Sequence, residues 1–264
     1  MKRKYSLKER RTLILKTLNE SGKIYVTDLM KTFDISEVSV RKDLAELEEK
    51  QLLIRVKGGA INIHQNTDID DLSIANKELK HAKEKMHIGK LAASLIKENE
   101  TIILDSGTTT MEVAKNIGSF DKLTVITNAL NIALYLTHYD RISVIVLGGQ
   151  MRSLSESTVG MIAETALNNY YCDKLFLGVD SISLEKGMST PNIEEASLNQ
   201  TMIACAKEVI AVFDSSKFER RSLAFISGIE KLDAIVTDSG ISDEEKEYME
   251  TRGIKVYVAD VDKE

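Results

Sequence analysis

Between residues 101 and 260, seven short apolar runs alternate with stretches of helical periodicity, and that alternation constrains the fold more than any other feature of the chain. The runs lie at 101–104, 123–126, 142–147, 174–179, 208–213, 232–236 and 255–258. Short continuous apolar runs suit strands buried on both faces. Helical patterns at 111–117, 129–136, 161–169, 193–206 and 243–251 fill most of the gaps. Repetition of strand and helix is best satisfied by a largely parallel sheet covered on both sides, so the expected class is α/β.

The strand ends carry the chemistry. They close on Asp105, Thr127-Asn128, Gly148-Gly149, Asp180, Asp214, Asp238 and Asp260. Ligands of open α/β sheets bind at the carboxyl ends of the strands. Asp105, Thr127, Asn128, Gly148, Gly149, Asp180 and Asp214 are therefore expected to converge on one cleft, with Asp238 and Asp260 read as loop caps. The stretch TIILDSGTTTMEVAKNI, 101–117, reads strand, tight turn, helix. Gly107 lets a backbone approach a ligand closely. The N–H groups of the following helix start suit an anion. Ser106, Thr108, Thr109 and Thr110 add hydroxyl donors, so a small phosphorylated molecule is the expected guest. Asp105 would repel a phosphate and is assigned to hydroxyls of the same ligand. Lys217, in Asp214-Ser215-Ser216-Lys217, can offset the phosphate charge. Arg152 and the stretch 155–160 read as a cleft wall or as a plain solvent loop. The turn has neither the spacing of a P-loop nor that of a dinucleotide site. No metal or cofactor is expected, and Cys172 and Cys205 read as reduced, buried thiols.

The first 63 residues differ in charge from the rest. They hold 14 basic and 9 acidic side chains, against 21 and 32 in the remainder. A basic head on an acidic body suggests that the head meets a polyanion. Its pattern agrees: a helix at 7–20, a short one capped by Thr27, a turn at Asp34-Ile35, and a third capped by Ser36 over 37–50. Two helices across such a turn form a helix-turn-helix whose second helix enters the major groove of double-stranded DNA. Val38, Ser39, Arg41 and Lys42 sit at its leading end, Arg41 suited to guanine or phosphate. A hairpin across 57–59 would form a wing, with Arg55 and Lys57 placed for the DNA backbone. Residues 62–72 are polar and aperiodic and read as a linker. The stretch 73–97 reads as one long helical stretch, its first half solvated. The domains expected are thus 1–61 and 73–264.

The head's VTDLMKTFDISEVSVRKDLAELEEKQLLIRVKGGA and the body's ILDSGTTT, ITN, LGG and DSSKF together resemble the DeoR-type bacterial transcriptional regulators. The resemblance covers nearly the whole chain. It implies a winged helix-turn-helix domain followed by a ribose-phosphate-isomerase-like, mostly parallel α/β body that senses a sugar phosphate. It further implies a cytoplasmic repressor of a carbohydrate operon, acting on operator DNA as a homodimer or homotetramer and released by a phosphorylated sugar. The chain departs from the family pattern at Gln51, Asn199 and Glu219. Thr190, Glu194 and Glu195 are weaker candidates for sugar hydroxyls. The alternative reading is a phosphosugar isomerase-like enzyme using Asp105, Asp180, Asp214 and Lys217 for proton transfer, but fold analogy is a weak warrant for chemistry and no enzyme is expected.

Overall fold

The computed structural model describes residues 5, 7–21, 23–49, 52–56, 59–61 and 73–261. The chain forms two compact units, Met1–Asp70 and Asp71–Glu264. Among the described residues no helix is long and apolar enough to cross a membrane.

In the first unit, α1 (Leu7–Ser21) is followed by β1 (Lys23–Tyr25), α2 (Val26–Phe33), α3 (Glu37–Glu49), β2 (Ile54–Val56) and β3 (Gly59–Ile61). Ile14, Leu18, Leu29, Val40, Leu44, Leu47 and Leu53 recur at helical spacing or just beyond it, and all are buried in one cluster. The turn between α2 and α3 is made by Asp34, in the left-handed region at φ 55°, whose N–H returns to the Met30 carbonyl. Ser36 accepts from the Ser39 N–H at 3.4 Å at the start of α3. Thr27 does not cap α2. The chain runs from β1 straight into the helix, so the cap position falls on extended Tyr25. The hairpin of β2 and β3 forms as expected, and β1 adds a third strand in the order β1-β3-β2. Lys57 and the expected linker at 62–72 lie outside the described residues.

The second unit begins with α4 (Ile74–Glu78) and α5 (Ala82–Ala93). The single long helical stretch expected over 73–97 is therefore broken. His81 takes the left-handed conformation at φ 52° and turns the chain between the two helices. The main alternation follows: β4 (Thr101–Leu104), α6 (Thr108–Lys115), β5 (Leu123–Thr127), α7 (Leu130–Leu136) and β6 (Ile142–Val146). A hairpin of β7 (Gln150–Arg152) and β8 (Ser157–Val159) leads to α8 (Met161–Leu167) and β9 (Cys172–Gly178). Then come β10 (Ser181–Ser183), β11 (Gly187–Thr190), α9 (Ile193–Cys205), β12 (Ala206–Val212), β13 (Ala224–Ser227), β14 (Ala234–Asp238), α10 (Asp243–Glu250) and β15 (Lys255–Ala259).

The seven apolar runs pair in the order β15-β14-β12-β9-β4-β5-β6, every neighbour parallel. Successive side chains of a strand face opposite sides. Ile102, Leu104 and Phe176 accordingly join Ile88, Val113 and Ile117 of α5, α6 and the turn after α6 in one core. Ile103, Leu175 and Leu177 join Leu198 and Met202 of α9 in the other. The chain leaves β4 toward β5 and returns to β4's other side as β9. That reversal opens a crevice at the carboxyl ends of β4 and β9, where such sheets hold ligands. A small antiparallel sheet, β10-β11-β13, stands beside it.

Candidate functional site

The crevice is lined by Asp105, Ser106 and Gly107 after β4, by Gly178 at the end of β9 and Asp180 beyond it, by Thr190 at the end of β11, and by Glu195 and Asn199 of α9. Ile74 and Lys77 of α4, with Leu154 and Ser155 of the β7–β8 turn, complete its wall. Gly107 holds the cap position of α6 at φ 154°, ψ 167°, a conformation open essentially to glycine. The first backbone donors of a helix lack intrahelical acceptors, so a turn of this kind suits an anion. Thr109 and Thr110 are buried, and the Thr110 hydroxyl donates to the Gly107 carbonyl at 3.0 Å. These threonines fix the turn, while Ser106 and Gly107 face the crevice and Thr108 opens the helix.

Charge in the crevice is arranged in opposition. Asp105 is buried, and its Oδ2 accepts from Asn199 Nδ2 at 3.0 Å and Gly178 N at 3.3 Å. Burial, then the nearby Glu195 carboxylate, pushes the Asp105 carboxyl up to about 7 against the lowering pull of its hydrogen bonds. Glu195 itself pairs with Arg152 and accepts from the Thr190 hydroxyl at 3.2 Å. On the other wall, Lys77 Nζ meets Asp180 Oδ1 at 2.7 Å, and the same Thr190 hydroxyl, sharing its one proton between the two carboxylates, lies 3.3 Å from Asp180 Oδ2. Burial alone would raise the Asp180 carboxyl, but the ammonium groups of Lys77 and Lys217 outweigh it and hold it below its ordinary value. Lys85 is buried and donates to the carbonyls of Lys77 at 2.6 Å and Lys80 at 2.7 Å. Burial depresses its ammonium, with Asp214 pulling the other way. Asp214 is buried and accepts from the Ser216 hydroxyl. Lys85, Asp214 and Lys217 do not line the crevice themselves, but the charge of Lys217 acts on both Asp180 and Lys85.

The other residues singled out at strand ends sit elsewhere. Thr127 Oγ1 accepts from the Ala129 N–H at 3.0 Å, and Asn128 Nδ2 donates to the Thr158 carbonyl at 3.2 Å. A Cβ on Gly149, at φ 145°, would lie 2.5 Å from the Val159 carbonyl oxygen, and one on Gly148 would touch Ile162. Asn128 and Gly149 thus meet the β7–β8 hairpin, Thr127 braces its own turn, Gly148 approaches α8, and none of the four lines the crevice. Lys77 and Lys85 came from a Lys- and Glu-rich stretch read as solvated. A signal for Glu195 and Asn199 was present in the sequence: four residues apart, they share one face of α9.

In the first unit, Val38 is 76% exposed, and Ser36, Arg41 and Lys42 are exposed at the leading end of α3, with Ser39 partly so. Arg41 pairs with Glu37 one turn earlier at 2.7 Å. Thr27 is exposed in the first turn of α2. Arg55 lies in β2, one strand of the expected wing. Behind the exposed face, buried Asp43 accepts from Arg10 and from Arg11, and Arg11 also pairs with Glu46. α3 is thereby braced against α1.

Two family models match: a DeoR-like helix-turn-helix domain over residues 10–66 and a DeoR C-terminal sensor domain over residues 80–239. The chain belongs to the DeoR family. It is a DNA-binding transcriptional regulator with a sensor body, and DeoR membership sets aside the catalytic alternative for Asp105, Asp180, Asp214 and Lys217. Among DeoR-type relatives, one from Escherichia coli O157:H7, provisionally named as the aga operon transcriptional repressor, is 38% identical over 97% of this chain and 95% of its own. The transcriptional repressor AccR of Agrobacterium fabrum is 36% identical over 89% of this chain and 91% of its own. The repressor GlcR of Bacillus subtilis is 32% identical over 96% and 97%. Among solved structures, ribose 5-phosphate isomerase A of Methanocaldococcus jannaschii aligns over 53% of this chain and 55% of its own, with 16% identity and a TM-score of 0.40.

Proposed function

We propose that this regulator represses a carbohydrate-utilisation operon and leaves its double-stranded operator when a phosphorylated sugar fills the crevice. The supporting observation is the opposition within one cavity of an anion-seeking helix start at Ser106–Gly107 and hydroxyl-seeking carboxylates at Asp105 and Asp180. A phosphate seated on the α6 N-terminus would draw on the charge of Lys77, Lys85 and Lys217, and the sugar hydroxyls would reach Asp105, Asp180, Thr190 and Glu195. Relatives named as repressors, including GlcR, favour a negative sign of control. Residues 1–61 would read DNA through Val38, Ser39, Arg41 and Lys42, residues 62–72 would link, and residues 73–264 would sense. A homodimer or homotetramer would present paired recognition helices to half-sites about one helical turn, or a multiple of it, apart.

The test is a thermal-shift screen of pentose and hexose phosphates followed by operator titration with each hit. A compound that stabilises the protein and weakens operator binding supports the reading. A compound that strengthens operator binding reverses the sign of control. Stabilisation by none of them removes the crevice as the sugar-phosphate site.

A further inference from the structure

Helix α4 is tied to the crevice by groups that a bound anion would disturb. Lys77 Nζ crosses to Asp180 at 2.7 Å. The Ile74 N–H donates to the Leu154 carbonyl at 2.8 Å, and buried Lys85 binds the Lys77 and Lys80 carbonyls at the end of α4. Both Ile74 and Lys77 line the same cavity as Ser106 and Gly107. α4 is also the first element of the body after residues 62–72, so it lies on the covalent path to the DNA-binding unit.

We propose that Lys77 is a latch that reports occupancy of the crevice: a phosphate at Ser106–Gly107 takes its ammonium from Asp180, and α4 loosens from the wall. This rests on the crevice being the effector site. The exchange is electrostatically reasonable on both sides. A phosphate ester carries close to two negative charges and three acceptor oxygens, against one charge on a carboxylate. Asp180 is not stranded when Lys77 leaves, because the Thr190 hydroxyl, 3.3 Å away, can turn to it the one proton it shares with Glu195, and the charge of Lys217 still acts on it. Sugar hydroxyls can fill its remaining acceptor sites. A ligand shifts such an equilibrium only by binding the two states differently, and competition for one ammonium supplies that difference.

Hydrogen–deuterium exchange on the full-length protein tests this, read on peptides spanning 73–80 and 105–111, with inorganic phosphate as the probe and chloride as the control. The amides of Asn76 and Lys77 are bonded to the Ser73 carbonyl, so loosening of α4 is visible there. Phosphate should slow exchange at 105–111 and accelerate it at 73–80. Without any anion, Lys77→Gln and, independently, Asp180→Asn should each accelerate 73–80 about tenfold, the cost of one charge-assisted hydrogen bond, whereas Lys77→Arg should keep it slow. Slowing at 105–111 with no change at 73–80 overturns the latch and leaves the effector site standing. No change in either peptide overturns both. Unchanged exchange at 73–80 in both uncharged variants overturns the latch whatever phosphate does.

Discussion

Asn199 Nδ2 donates to Asp105 Oδ2 at 3.0 Å, and this bond ties the middle of α9 to the end of β4. It also gives Asp105 a neutral donor beside a carboxylate neighbour, Glu195, where a cation would have fixed its charge. The crevice floor therefore carries a carboxyl that titrates near neutrality instead of a permanent anion.

That carboxyl makes the body's stability depend on pH. The folded state holds a proton, with the Asp105 carboxyl pushed up to about 7, which the unfolded chain releases in the ordinary carboxylate range near ~4. The stability it contributes is complete below that lower value and is lost as pH rises through the higher one. Thermal melts from about pH 5 to about pH 8 should show the body's transition falling. Asp105→Asn keeps an acceptor for Asn199 and Gly178 but cannot ionise. It should flatten part of that slope and gain stability at the alkaline end, by a few kcal/mol at most. Parallel slopes for the two proteins would refute the assignment.

Arg152 and Glu195 form a mostly buried pair, each side chain 11% exposed. Arg152→Ala leaves the Glu195 carboxylate in a poorly solvated site close to Asp105. Loss of about 3 kcal/mol is expected in urea unfolding of the body. Arg152→Ala combined with Glu195→Gln should recover much of it, and failure to do so would mean that the pair is not the source.

Arg41→Ala should cost little stability, because its partner Glu37 is an exposed neighbour worth about 0.5 kcal/mol. Specific operator binding should weaken by at least about tenfold, the loss of one base or phosphate contact, while phosphosugar affinity stays unchanged. Fluorescence anisotropy against operator and scrambled DNA reads both effects. Equal weakening on the two DNAs would reassign Arg41 to phosphate.

Lys217→Ala should show the complementary defect. Operator affinity is expected to hold, and its response to the sugar phosphate found by screening should shrink. Loss of DNA binding in this variant would place Lys217 in the fold and not in sensing.

Asp43 is 1% exposed and accepts from two arginines of α1. Asp43→Ala leaves Arg10 and Arg11 without that anchor, so the DNA-binding unit should lose about 3 kcal/mol and operator affinity should fall with it. A variant that melts like the wild type would show that the brace is dispensable.

The seven strands were legible because each is a short, mostly apolar run that closes on a small or polar residue, a signal carried by the residues themselves. The short strands β7, β8, β10 and β11 were not. Ser157–Val159, Ser181–Ser183 and Gly187–Thr190 are three or four residues long with two or three of them small or polar, and only pairing with neighbouring strands makes them strands. The break at His81 was hidden because neither glycine nor proline marks it. The strand-end rule selected Asp105 and Asp180 and the turn motif selected Ser106 and Gly107, all four of which line the crevice, but the strand-end rule also selected Thr127, Asn128, Gly148 and Gly149, which do not. Lys77 and Lys85 escaped notice because composition reports charge and not burial. Lys85 is only 5% exposed.

The order of the elements along the chain also fixes an order in time. The described elements of the DNA-binding unit end with β3 at Ile61, and all their strand pairings lie among themselves. The crevice needs Asp105, Asp180, Glu195 and Asn199, the last of them about three-quarters of the way along, and a sheet whose last strand, β15, ends at Ala259. Synthesis proceeds from the N-terminus, and domains fold as units as they emerge. A nascent chain therefore acquires its DNA-reading surface well before the machinery that would release it, and control begins only when translation is nearly finished.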